Sequence, residues 1–338
     1  MKTDAQLLKE NGDDAFVDKK YKEAAMLYRA AAELGNADAQ FELGDCYYLG
    51  YGVEEDEEIA AKWYRKAAEQ GHAAAQCALG NCYNFGDGVE ADDEEAAKWY
   101  REAAVQEHVE AQYRYGICLL HGFGVEEDEE GATVFLQAAA DEGYAKAQCA
   151  LGTCFLHGFG VDIDEPEAVK WFYAAAEQGD AEAQRKLGGC YYYGNGVDQD
   201  YGVAVQWYRK AAEQGDADAQ NELGDCYNFG DGTAENPAEA VKWYQAAVEQ
   251  GHAEAQCSLG LSYSSGNGVP TDCKKAVQLF LLAAEQECAA AHYMLGVCYE
   301  NGSGVSEDMS VALKWYRKAA ELGDEDAQER LKELGEDW

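Results

Sequence analysis

Apolar positions recur along this chain in a fixed frame of 36 residues. Within residues 37–72, Ala39, Leu43, Cys46 and Tyr47 fall at helical spacing. That stripe predicts a first helix, helix A, from Ala37 to Leu49. Gly50 and Gly52 stop it, since glycine tolerates the positive φ of a tight helix exit. A second stripe, Ala60, Trp63, Tyr64, Ala67 and Ala68, predicts helix B from Asp56 to Gln70, closed by Gly71. Its acidic start, Asp56, Glu57 and Glu58, suits the positive end of a helix dipole.

The same frame returns eight times without insertion, over 37–72, 73–108, 109–144, 145–180, 181–216, 217–252, 253–288 and 289–324. Length alone points to about two domains. The period overrides it, because one stacked array can run through the whole chain. A hairpin of this size cannot bury its own apolar face, so its neighbours must. Ala39, Gly44, Ala60 and Ala67 head columns in which all eight copies keep the same residue. Small residues at such crossings let helices approach to about 8–10 Å. The large core partners are expected at Trp63, Trp99, Trp171, Trp207, Trp243 and Trp315, with Phe135 and Leu279 in the two gaps.

The template A-x-A-Q-x-x-L-G-x-x-Y-x-x-G-x-G-V, then A-x-x-W-Y-x-x-A-A, resembles the Sel-1-like repeat of the tetratricopeptide superfamily. The resemblance implies an all-α fold, a right-handed superhelical solenoid of helix-turn-helix repeats. It also implies a non-enzymatic adaptor that binds a partner segment on the concave helix-A face. A secreted or envelope-associated effector of the same fold is the alternative. Residues 1–36 resemble a tetratricopeptide-type N-terminal cap with a shorter inner loop, and 325–338 a polar C-terminal capping helix.

A net charge of −39 repels nucleic acid and anionic lipid. The expected partner is therefore a protein or peptide, with a bias toward basic segments. Neither nucleic-acid binding nor membrane insertion is expected. No leader-like or spanning segment is visible, and the chain reads as cytoplasmic.

Seven of the 12 cysteines occupy one column, from Cys46 to Cys298, with Ser262 in the remaining copy. The column follows Leu43 by three residues, so it faces the core. Stacked equivalents about 8–10 Å apart exceed the roughly 7 Å that a disulfide spans. Secreted relatives of the resembled family pair a cysteine late in helix B with one early in the next helix A. Here those positions hold Ala68, Ala104, Ala140 and Ala176, then Gln76 and Gln148. Cys77, Cys149 and Cys257 form a second column, while Cys273 and Cys288 are irregular. Cys288 and Cys298 lie close in sequence, on either side of the boundary between the last two copies, and spacing alone does not fix their separation.

No catalytic constellation emerges. Cys77, Cys149 and Cys257 lack a nearby base. Cys118 and His121, like Cys154 and His157, have a metal-like spacing, but their cysteines belong to the core column. The acidic runs lack the alternating oxygens and glycine of a calcium loop. The glycine boxes lack a phosphate loop's lysine. No cofactor and no metal are expected.

Helix A supplies the expected partner surface, through columns 38, 41, 45, 48 and 49 and their equivalents. Candidate contact residues are Phe41, Tyr48, Leu49, Asn84, Phe85, Tyr113, Leu120, His121, Leu156, His157, Tyr192, Tyr193, Asn228 and Phe229. Asparagine can hold a peptide amide, and aromatics supply contact area.

Overall fold

A computed structural model describes residues 2–336. Met1 and the last two residues of the expected C-terminal cap, 337–338, lie outside the described residues. Nineteen helices and no strand occur among those described. They form nine hairpins and a final helix, an α-solenoid of stacked helix pairs. No helix is long and apolar enough to cross a membrane among the described residues.

In the first copy helix A spans Ala37–Tyr48 and helix B spans Glu57–Ala68. Helix B is shorter than its stripe predicts. Asp56 stands before it as N-cap, its carboxylate accepting from the Ile59 N–H at 2.8 Å. At the far end the chain leaves the helix after Ala68, and the Gln70 N–H turns back onto the Ala67 carbonyl.

Contacts divide the chain after Ala175 into two units. The first holds the N-terminal hairpin (Asp4–Val17 and Tyr21–Glu33) and the copies up to Ala175. Inside it, helix B of each hairpin packs on helix A of the next. Its core is a run of alanines around Leu43, Leu79, Leu136 and Leu151, each at most 1% exposed. The second unit repeats this scheme from Ala176 onward, around Leu187, Leu223, Leu259 and Leu295. It ends on the helix Glu325–Leu334, which packs on helix B of the last copy. Arg330 of that helix pairs with Glu300, which also accepts from the Tyr316 hydroxyl at 2.6 Å.

One expectation needs correction. The large residue facing the invariant Gly44 is Tyr64, not Trp63. A Cβ on Gly44 would lie 2.5 Å from the Tyr64 ring. Tyr64 and its equivalents Tyr100, Leu136, Phe172, Tyr208, Tyr244, Phe280 and Tyr316 are nearly all sealed. The tryptophans one position earlier are mostly half-buried, Trp207 excepted. Adjacent helix positions lie about 100° apart, so only one of two neighbouring aromatics can point at the glycine. Trp63 instead lies under the Lys66 ammonium at 3.7 Å.

Gly52 joins copies in another way. Its φ is 77°, and a Cβ there would overlap the carbonyl oxygen of Tyr21, at the start of the preceding helix B. The second glycine of the box is therefore where one hairpin seats on the next.

Candidate partner-binding surface

Column 49, the end of helix A, is exposed throughout. Leu49 is 52% exposed, Phe85 60%, Tyr193 63% and Phe229 68%. His121 and His157 are exposed as well. Each residue sits one position before a glycine of positive φ, where the chain turns away from the hairpin. His121 leans on Phe123 with ring centroids 5.4 Å apart, and His157 on Phe159 at 5.6 Å. Cys118 and Cys154 are buried, and burial pushes both thiols up to about 11. Each Cys-x-x-His pair is thus split between the core and solvent.

Column 48 has a second task. The Tyr48 hydroxyl donates to Asp87 at 3.0 Å, and the Tyr192 hydroxyl to Asp231 at 2.8 Å. The Asn267 amide donates to the Asn228 side-chain oxygen at 2.9 Å. Each time the helix-A residue reads the residue between the two glycines of the next copy. Asn84 is exposed, whereas Leu120 and Leu156 are half-buried. Leu120 packs against the core of the first unit.

Column 41 lies in the seam between copies. Phe41 stacks on His72 with centroids 5.0 Å apart and meets Tyr64 at 5.9 Å. Tyr113 meets Tyr144 at 5.4 Å. Cys77, Cys149, Asn221 and Cys257 in the same column are buried.

Carboxylates accompany the exposed edge. Glu42 and Asp45 recur as Glu222 and Asp225, all half-buried. Burial holds Glu42 above its ordinary value, aided by the neighbouring Asp45. Burial also pushes Glu222 up to about 7, with the charges of Asp225 and Glu254 adding to the effect. Asp45 and Asp225 are raised by burial too, opposed by hydrogen bonds from the Tyr64 and Tyr244 hydroxyls at 2.7 and 2.6 Å. The nearest cations are already engaged. Lys9 pairs with Asp13, and Arg185 with Asp216 and Asp218. In the second unit Asp225, Asn228, Phe229, Tyr244 and Leu261 line a cavity of about 240 Å³. A carboxylate at the base and an aromatic edge at the rim suit a cationic side chain.

A clamp across the seam was not among the expectations from sequence. Gln40, Gln76, Gln112, Gln148, Gln184, Gln220 and Gln256 are buried. The Gln40 amide donates to the Ala32 carbonyl at 3.1 Å, and its oxygen accepts from Gln70 at 2.7 Å. Gln106 with Gln76, Gln214 with Gln184, Gln250 with Gln220 and Gln286 with Gln256 repeat the second bond. The signal in the sequence is the glutamine that follows Ala39 and recurs in its column. Its polar character inside an apolar stripe marks a buried hydrogen-bonding role.

The Sel1 repeat family matches residues 5–36, 37–72, 73–108, 109–144, 145–180, 181–216, 217–252, 253–288 and 289–324. The match adds the N-terminal hairpin as a ninth repeat. The chain is 34% identical to a protective antigen present in uropathogenic Escherichia coli strains displaying an SLR fold. That likeness covers 92% of this chain and 67% of the antigen, with a TM-score of 0.76. It is 35% identical to a Sel1 repeat protein from Oxalobacter formigenes, over 73% of this chain and 97% of that one, with a TM-score of 0.67. No curated protein matches the chain. Nine contiguous matched repeats, the last eight in one 36-residue register, make this chain a member of the Sel1 repeat family.

Proposed function

We propose that the chain is a non-enzymatic scaffold that holds extended or helical protein segments on the exposed ends of its A helices. Sel1 repeat proteins generally mediate protein–protein contacts. The observation that carries this reading is the pairing of exposed apolar side chains with half-buried carboxylates. In the first unit these are Tyr48 and Leu49, at the end of the helix that carries Glu42 and Asp45, whereas the Phe85 ring lies under the Arg114 guanidinium at 5.8 Å. In the second they are Tyr193 and Phe229 beside Glu222 and Asp225. The apolar groups favour an anchor that covers them. The carboxylates favour a cation that replaces lost solvation, so the partner carries lysine or arginine next to apolar residues. A nucleophilic role is disfavoured at Cys77. Cys77 is buried, and burial pushes its thiol up to about 12, away from the reactive thiolate.

An array of synthetic peptides of matched length, varying charge and apolar content, tests the proposal. Binding is expected to concentrate on basic peptides with apolar anchors and to weaken with added salt. Replacing Tyr193 and Phe229 by Ala is expected to weaken it about tenfold or more, with an unchanged helical spectrum. Equal binding of acidic peptides, or a double variant as tight as the parent, refutes the assignment.

A further inference from the structure

The seam between copies brings column 41 against the residue 31 positions later, the N-cap of the next helix A. Phe41 stacks there on His72, Tyr113 meets Tyr144, and the Arg185 Nε lies 3.4 Å from the Asp216 carboxylate. In the seventh copy the same two places hold Cys257 and Cys288. Cys257 is buried in the core of the second unit, and half-buried Cys288 packs against that core. Each thiol is the largest influence on the other's titration, which puts the two sulfurs together in this seam. Both are free.

We propose that Cys257 and Cys288 form a reversible dithiol–disulfide pair, a redox modification site with Cys288 as the attacking sulfur and Cys257 as the resolving one. This pair is independent of any partner on the exposed edge.

The local chemistry divides the roles. Cys288 is the N-cap of the helix Ala289–Asn301, and no neutral cap bond is made by its side chain. As a thiolate it is favoured by the Cys257 S–H, which donates to it, and by the N–H groups of Ala290 and Ala291, so its titration falls below the ordinary thiol range. Cys257 moves the opposite way, held protonated by that hydrogen bond and by burial. The half-buried sulfur is thus the nucleophile, and the buried one waits behind it.

The oxidant is a low-molecular-weight disulfide, RSSR. The Cys288 thiolate attacks one sulfur, the RS–SR bond breaks, and RS⁻ leaves and takes up a proton. Cys257 then loses its proton to solvent and attacks the Cys288 sulfur, expelling the second RS⁻, which is protonated in turn. Two protein thiols are oxidised to one disulfide, and one RSSR is reduced to two RSH. The bond ties helix A of the seventh copy to the start of helix A of the eighth, across the helix B between them. A dithiol reductant reverses it.

The experiment uses the full chain in mixtures of reduced and oxidised glutathione. Remaining thiols are alkylated under denaturation, and the digest is mapped by mass spectrometry. The expected product is a cross-linked pair of peptides containing Cys257 and Cys288, with a thiol count two below twelve. In Cys257→Ser a glutathione mixed disulfide is expected to persist on Cys288. In Cys288→Ser neither product is expected. Alkylation of Cys288 in the reduced parent is expected to begin below the usual thiol pH of about 8.5. In the oxidised parent, amide exchange across residues 273–288 is expected to slow. A cross-link between other cysteines, such as Cys273 and Cys298, overturns the proposal. So does a glutathione adduct that stays on Cys288 in the parent, or no loss of thiols. The parent's peptide map decides the matter even where a variant folds poorly.

Discussion

Glutamate at position 142 breaks the seam clamp. In five seams a glutamine amide reaches the buried glutamine oxygen, over 2.7 to 3.0 Å. Gln112 is buried to the same degree as its equivalents, but the residue 30 positions on is Glu142, which has no amide to donate. Accordingly the Gln112 side-chain oxygen is buried without a partner. An unsatisfied buried acceptor costs about 1–3 kcal/mol, and a restored neutral bond returns about 1 kcal/mol. Glu142 is itself exposed, so the lower end applies, and Glu142→Gln is expected to stabilise by about 1 kcal/mol. In a chain of this size that moves a melting midpoint by about 2 °C. Stacked repeats need not unfold in one step. Amide exchange over residues 104–116 is therefore the sharper readout, and it is expected to slow severalfold. Removing one negative charge from a chain at −39 stabilises by itself. Glu69→Gln, at an exposed helix end outside the clamp, controls for that. The mirror change, Gln214→Glu, removes the donor to Gln184 and is expected to destabilise by a similar amount. If Glu142→Gln gains no more than Glu69→Gln, or Gln214→Glu costs nothing, the clamp is not an energetic feature of the seam.

Gly188→Ala places a Cβ 2.7 Å from the Tyr208 ring inside a sealed core. Overpacking of this kind costs about 1–3 kcal/mol, visible as a lower urea midpoint, and an unchanged midpoint would contradict the packing described. Glu222 titrates at about 7 when folded against an ordinary 4.5. The folded state therefore binds the extra proton between those values, and stability falls as pH rises through that window. The full rise is worth up to about 3 kcal/mol, which solvent at a half-buried carboxylate reduces to about 1 kcal/mol. Glu222→Gln is expected to be the more stable form above pH 7 and to match the parent below pH 4.5, as read by urea unfolding across the range. A difference that grows toward acid would reverse the assignment.

The frame of the fold was legible because glycine and alanine columns act through sterics alone. A Cβ is either tolerated at Gly44 or it is not, and all eight copies exclude it. Contacts between helices were harder to read. Trp63 and Tyr64 are adjacent aromatics in one stripe, and spacing within a helix does not say which one meets Gly44 in another. Gln40 was visible as a repeated polar residue. Its partner Gln70 lies 30 residues on, at the far end of the same hairpin, where spacing within one helix does not place it. Cys257 and Cys288 looked unrelated for the same reason. Phe41 and Tyr113, also on the expected partner face of helix A, are half-buried and touch the following N-cap residues His72 and Tyr144, a contact that spacing does not reveal. The exposed edge at Leu49, Phe85, Tyr193 and Phe229 was legible because a helix end before a glycine has little chain left to cover it.

Periodicity therefore does more than define the scaffold; it shows where this chain departs from its own rule. A seam column repeated in most copies sets what each junction requires, so a substitution there has a definite local consequence. Glu142 removes a donor and leaves Gln112 unsatisfied in one junction. Cys257 and Cys288 replace an aromatic or ionic contact by two thiols in another. Column 49 is under no such requirement, because its side chains project past the end of the hairpin into solvent. They vary from leucine to phenylalanine, histidine, tyrosine, serine and asparagine. Freedom at that edge and constraint in the seam follow from one geometry, and on the proposed reading they separate recognition from stability on the same helix. Substitutions in column 49 are thus expected to change what binds while leaving unfolding unchanged, and substitutions in columns 40, 41 and 72 the reverse. A column-49 alanine that lowered the unfolding midpoint as far as a seam substitution would show that the edge is packed after all.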